Sequence, residues 1–343
     1  MNKISKILFL LLAGMSVVSC HKDDGPETVP LRDYAEQYLV DGPLLETYLD
    51  THYITVDANY DVTIDTILPT TTQLSIRNQT DYPIQFKTVT SNSVEYKVYY
   101  LKLREGINQN PTALDSIYTS YKGNLTKKYA ESQFDYAPNP VWLELENVIP
   151  AWTEIFPLFK TGTYDDAEGP NPIVFDNYGA GVMFVPSGLG YFGNIPPSGI
   201  IPAYSNLVFN FKLYELRYKD HDRDGIYSKD EVLHPGDDPI DYDSDGDGLA
   251  NMYDVDDDDD HVLTKVEIRR PDVTGQPTTH YPYNGAAVDD PATPFIDETQ
   301  GIPRAFTGPI DPETHLHTAL PADFTDPERL RRHLDPTSFP PFE

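Results

Sequence analysis

Cysteine is nearly absent from this chain: one residue, Cys20, in 343. A single thiol excludes an internal disulfide framework and any cysteine-rich zinc site. Bases are also scarce, with 25 Lys and Arg against 55 Asp and Glu, a formal charge of −30. Such a chain repels nucleic acid and anionic lipid, and neither is expected as a partner. Past Val18 no apolar run is long enough to cross a bilayer. Hydrophobic residues stand at 39 %, a little under the usual globular share, which predicts a good core beside poorly packed segments. Tyr (24) and Phe (15) are plentiful. Without its first 19 residues the chain of 343 keeps 324, room for two modest domains.

The N-terminus reads as an export signal over residues 1–19. Lys3 and Lys6 precede an apolar run from Ile7 to Val18, too short to span a membrane comfortably. It ends in Val17-Val18-Ser19-Cys20, which resembles a lipobox, with the sole Cys at the position that is lipidated. His21-Lys22-Asp23-Asp24 resembles the signal that sends Bacteroidota lipoproteins to the cell surface; a solvated charged tether is the plain alternative. The expectation is an outer-membrane lipoprotein held through Cys20, displayed at the surface or facing the periplasm.

Residues 20–32 are a polar tether, and 33–92 form an N-terminal helix and strand region. Apolar residues recur at helical spacing from Asp33 to Tyr53, but Gly42-Pro43 interrupts them, which predicts a broken helix. Thr, Val and Ile alternate over 54–90, as strands do. The densest patterning lies in 93–217, where the runs from Glu95, Ser116 and Leu207 suit strands, Val148–Lys160 suits a helix, and Thr161–Asn177 a polar loop. An acidic block fills 218–270, and a Pro-rich tail, expected to be extended or loosely docked, fills 271–343.

Six pieces follow one another in a telling order: Tyr121-Lys122-Gly123-Asn124-Leu125, Gln133-Phe134-Asp135, Val148-Ile149-Pro150-Ala151-Trp152, Val185 to Tyr191, Ile200-Ile201-Pro202 and Leu207-Val208-Phe209. That series resembles an FKBP-type peptidyl-prolyl isomerase domain over residues 93–217. The resemblance implies an α+β fold, a twisted antiparallel sheet wrapped around a short helix. It also implies an apolar pocket walled by Tyr121, Phe134, Val148, Ile149, Trp152 and Phe209, with Trp152 under the proline ring. Asp135, Tyr191 and Ile201 belong at the rim, where the Tyr191 hydroxyl and Ile149 amide donate to substrate carbonyls. Proline-containing polypeptides are then the expected clients, turned over without a cofactor. Taken singly, Phe134, Trp152 and Phe209 read better as the core aromatics of a β-rich domain; in sequence with Asp135 and Tyr191 they favour the pocket. Three departures stand out: Leu143 occupies a position usually aromatic in the family, no His lies near the rim before Ile200, and the Thr161–Asn177 link is long. They leave room for a rival of another class, an FKBP-fold surface protein that holds a peptide without catalysis.

Residues 220–260 carry 17 acids against two bases, Arg223 and Lys229. Asp220, Asp222, Asp224, Gly225, Ile226, Ser228 and Glu231 fit the twelve-residue calcium loop, in which alternate carboxylates, the carbonyl at position seven and a bidentate acid at twelve supply hard oxygens. The pattern returns as Asp243, Asp245, Asp247, Leu249, Asn251 and Asp254, and again as Asp256, Asp258, Asp260, Val262, Thr264 and Glu267. His261 stands in the third loop where Gly belongs, so strain is expected there. The second and third loops start 13 residues apart, too close for full flanking helices, and resemble the tandem aspartate repeats of thrombospondin type 3 or dockerin modules. A solvated acidic linker is the alternative. Structural Ca2+ is the expected cofactor: it rigidifies the block, fixes the tail and leaves the pocket chemistry alone.

Overall fold

A computed structural model describes residues 30–127, 132–165, 173–194, 196, 200–232, 238–270, 280, 281, 283, 301–326, 329–338 and 340. The export signal, Cys20 and most of the tether lie outside them.

Strands β1 (His52–Val56) and β2 (Val62–Thr66) form a hairpin. β3 (Gln85–Ser91), β4 (Val94–Arg104), β5 (Ser116–Leu125), β6 (Gln133–Glu144), β9 (Gly179–Val185) and β10 (Leu207–Arg217) build a sheet in the order β3-β4-β9-β10-β5-β6. Every neighbouring pair is antiparallel, giving the mixed helix and antiparallel-sheet class read from the sequence. The loop expected over Thr161–Asn177 carries a small pair of its own, β7 (Thr163–Tyr164) with β8 (Phe175–Asp176).

Period-two alternation sends neighbouring residues of one strand to opposite faces. In β4, Tyr96, Val98 and Tyr100 enter one core while Tyr99, Leu101 and Leu103 enter another. The first core lies under the short helix α2 (Pro150–Ile155), extended by a 3-10 turn at Phe156–Leu158, and holds Trp152, Phe156, Phe159, Phe209 and Phe211. The second is closed by the β1-β2 hairpin and helix α1 (Tyr34–Thr51) through Leu45, Tyr48, Leu49, Val62 and Ile64. The central strand β9 is therefore buried along its whole length.

Helix α1 runs unbroken through Pro43, contrary to the break expected there. A mid-helix Pro forfeits one backbone bond and costs about 3 kcal/mol. Burying Leu45, Tyr48 and Leu49 offsets that at about 1.5–3 kcal/mol each. Asp41 adds an anchor, accepting from the Ser187 amide at 3.0 Å and the Ser187 hydroxyl at 2.6 Å.

The described part of the tail is docked rather than loose. Ile302 joins Ile226 and Ile268 of the acidic block in a small core flanked by Tyr281 and Tyr283. The Arg332 guanidinium donates to the Arg269 carbonyl at 2.8 Å, and Arg332 stacks its charge over Tyr281.

Candidate functional site

Pairing places the pocket residues. Gly123 of β5 faces Asp135 on β6 and Phe209 on β10, so Tyr121, two residues back on the same face, is the diagonal neighbour of Asp135. The Tyr121 hydroxyl donates to Asp135 Oδ2 at 2.8 Å. A side chain at position 123 would bring a Cβ within 2.8 Å of the Phe134 and Phe209 rings, so glycine here makes room for that pair.

The floor is Trp152, only 3 % exposed, in the first turn of α2. Tyr121 and Phe209 meet its ring edge-on at 4.9 and 5.2 Å. Pro150 opens the helix, and Ile149 caps it in an extended conformation, so the Ile149 amide has no partner within the helix. A cavity of about 400 Å³ results, lined by Tyr121, Asp135, Val148, Ile149, Trp152, Tyr191 and Phe209 of the expected set. Leu143, Asn147 and Pro150 complete the lining. Asn147 and Pro150 escaped the sequence reading, although they flank Val148-Ile149. Two expected members lie elsewhere. Phe134 supports the wall from behind, edge-on to Phe209 at 5.5 Å. Ile201, expected at the rim, is instead buried in the core.

The Trp152 indole nitrogen is buried without a hydrogen-bond partner. Burial and the bond to Asp135 push the Tyr121 phenol far above its usual value. Burial and the Asp135 charge raise Tyr191 as well. Both hydroxyls are therefore neutral donors at physiological pH. The site offers an apolar slot with two phenol donors and one carboxylate at its mouth, room for a small apolar group flanked by polar ones.

The acidic block holds three loops with one hydrogen-bond scheme. The amide at position six donates to the first Asp in each: Gly225 to Asp220 at 3.2 Å, Gly248 to Asp243 at 2.9 Å, His261 to Asp256 at 3.1 Å. The amides of Ile226, Leu249 and Val262 donate to Asp224, Asp247 and Asp260 at 2.7 Å. Ser228, Asn251 and Thr264, expected to face the centre at position nine, accept the amides of His221, Ser244 and Asp257 and so close their loops. His261 adopts φ 75°, the left-handed conformation that Gly225 and Gly248 take freely.

Carboxylate oxygens of Asp220, Asp222 and Asp224 gather within 4.8 Å, as do those of Asp243, Asp245 and Asp247, and those of Asp256, Asp258 and Asp260. The acids closing the loops differ. Glu231 and Glu267 are buried with both oxygens unpartnered, whereas Asp254 accepts from the Asp256 amide at 3.0 Å. Burial, followed by repulsion from neighbouring acids, pushes Asp222 up to about 8, Glu231 to about 10 and Glu267 to about 10. Asp258 rises to about 7 for the same reasons. Buried hard oxygens without donors are a donor set that fits a divalent cation such as calcium.

Residues 221–295 match the BamM C-terminal family. No curated protein matches the chain. Among solved structures it is similar to the peptidyl-prolyl cis-trans isomerase PPIase from Pseudomonas syringae pv. tomato str. DC3000, at 19 % identity over 41 % of this chain and 84 % of that one, TM-score 0.30. It is also similar to FkpA from Escherichia coli, at 24 % identity over 41 % of this chain and 54 % of that one, TM-score 0.30. The chain thus spans about half the length of FkpA. Among the described residues, no helix is long and apolar enough to cross a membrane.

Proposed function

We propose that the chain is a peptidyl-prolyl cis-trans isomerase of FKBP type, a folding helper held at the outer membrane by lipid on Cys20. The observation that carries this reading is the pocket itself: Tyr121 bonded to Asp135 across a slot floored by Trp152 and walled by Phe209. Rotation about an X-Pro bond passes through a twisted amide that has lost its resonance, a barrier of about 18–20 kcal/mol. The aromatic slot holds the proline ring and excludes water, which disfavours the planar, more polar amide. The Ile149 amide and the Tyr191 hydroxyl hold the flanking carbonyls of the client. The bond to Asp135 fixes the Tyr121 ring against Trp152. Lowering the barrier by about 4 kcal/mol gives roughly a thousandfold acceleration.

A second reading, a peptide-holding protein without catalysis, is favoured by Leu143 in the pocket wall, where the family resemblance calls for a ring. A prolyl-isomerisation assay on a proline-containing peptide separates the two. Acceleration that Asp135→Leu lowers about tenfold supports the enzyme. Tight peptide binding without acceleration identifies the holder.

The acidic loops complete the proposal as a structural calcium module. Orphaned carboxylate oxygens on Asp222, Asp224, Glu231, Asp258, Asp260 and Glu267 support it. A bound cation neutralises these groups and fixes the block beside the isomerase core.

A further inference from the structure

Asp257 is the second residue of the third loop, a position that the calcium-loop pattern does not use as a ligand. It is nevertheless 2 % exposed, and its Oδ1 has no hydrogen-bond partner. Its carboxylate lies within 4.8 Å of those of Asp224 and Glu231, both from the first loop. Asp224 and Glu231 are 2 % and 4 % exposed, and Asp224 Oδ2 and both Glu231 oxygens are also unpartnered. Three carboxylates from two loops thus converge in a space closed to water.

The backbone of Asp257 is gripped from both sides. Its amide donates to Thr264 Oγ1 at 3.1 Å, and its carbonyl accepts from the Ser244 hydroxyl of the second loop. With both main-chain groups held, the carboxylate still reaches those of Asp224 and Glu231 in the first loop. Lys265 offsets part of the charge on Asp224, but among the described residues no Lys or Arg forms an ion pair with any of the three acids. Three buried carboxylates without a paired base are neutralised either by protons or by a divalent cation, and only the cation binds all three at once.

Resting on the calcium reading above, we propose that Asp257 is a calcium ligand of the first loop, so that one ion binds loops one and three together. The cation at Asp224, Glu231 and Asp257 is then a staple between loops distant in sequence, and filling it sets the shape of the third loop. The Asp243, Asp245 and Asp247 group, more exposed and closed by no buried acid, binds separately and more weakly.

The test titrates Ca2+ into the full chain by calorimetry and compares Asp257→Asn with Asp259→Asn, whose side chain is 71 % exposed. Asp257→Asn is expected to weaken the tightest binding step at least tenfold, whereas Asp259→Asn changes it less than twofold. Thermal melting supplies a contrast that a packing defect cannot mimic. In chelator, where protons already neutralise much of the buried cluster, Asp257→Asn moves the melting temperature of the block little; in calcium, the same change lowers it. Equal affinities for the two variants overturn the shared ligand, and so does a block that Asp257→Asn unfolds in chelator. No calcium uptake by the unsubstituted chain overturns the calcium reading itself.

Discussion

The His221 imidazole, in the first acidic loop, lies 2.8 Å from Glu146 Oε2, in the turn that leads directly into the pocket wall at Val148. Its other ring nitrogen meets Ser228 Oγ at 2.8 Å, and that hydroxyl also accepts the His221 amide that closes the loop. Lys219 reinforces the joint, its amide donating to Asp115 at 3.1 Å and its ammonium lying 3.3 Å from Glu146. The first acidic loop and the turn before the pocket wall are thus joined through a short chain of polar contacts.

His221→Ala is therefore expected to cost about 1 kcal/mol, the usual net value of such a bond. It should also uncouple the pocket from the metal. Chelation should weaken proline-peptide binding in the unsubstituted chain and leave the affinity of the variant unmoved. Peptide titrations with and without calcium on both proteins decide the matter; equal calcium effects would show that the joint transmits nothing.

At the rim, Asp135→Leu and Tyr191→Phe are each expected to lower kcat/KM about tenfold, or about 1.4 kcal/mol of transition-state stabilisation. The fold should stay intact, since Tyr191 is half-buried and Asp135 lies at the mouth. Trp152→Ala removes a buried ring and is expected to cost about 3–5 kcal/mol in denaturant unfolding along with activity. If both rim variants keep full rates, the chemistry resides outside this pocket.

The pocket residues came from the family resemblance, and Tyr121, Asp135, Trp152 and Phe209 line one cavity because strands and one helix hold them at fixed offsets. Ile201, placed at the rim by the same resemblance, lies in the core, and its irregular segment has no periodicity to separate the two. Asp257 was invisible for another reason. Each loop can be read alone from its alternating acids, but contact between loops is tertiary and leaves no mark on spacing. Likewise Pro43 argued for a break in α1, and only the packing of Leu45, Tyr48 and Leu49 against the sheet overrides it.

The pH dependence follows from the two raised phenols. A Tyr whose folded pKa exceeds its unfolded value, about 10, contributes stability that is fully present below that value. The contribution is lost as pH rises through the folded value. Tyr121 and Tyr191 are both raised, by burial first and by Asp135 second. Isomerase rate and melting temperature are therefore expected to be insensitive to phenol ionisation between pH 6 and 9, and the melting temperature to fall above about 10. Tyr121→Phe should flatten part of that alkaline loss, as a melting series across pH will reveal.

For the anchor, Cys20→Ser is expected to move the chain from the membrane fraction to the soluble one. A single acyl chain holds a protein only marginally, so stable attachment implies more than one. Fractionation with detergent partitioning checks this. A serine variant that remains membrane-bound removes the support for lipidation.

Asp41 is the residue through which the N-terminal helix reaches the site. It is 1 % exposed, and its carboxylate accepts from Gln37 Nε2 at 2.7 Å as well as from both donors of Ser187. Ser187 begins the turn that leads to Tyr191, and the Tyr34 ring of the same helix stacks on Phe192 at 3.9 Å. Helix α1 thus braces the segment that carries the rim tyrosine. Asp41→Ala strands buried donors and is expected to cost about 3 kcal/mol or more. Because the rim is then looser while Trp152 and Phe209 are untouched, peptide KM should rise more than kcat falls. Asp41→Asn, which keeps an acceptor for Ser187, should restore much of the binding but not all of the stability. A fall confined to kcat, with KM unchanged, would separate α1 from the rim and leave it only a cover for the far face of the sheet.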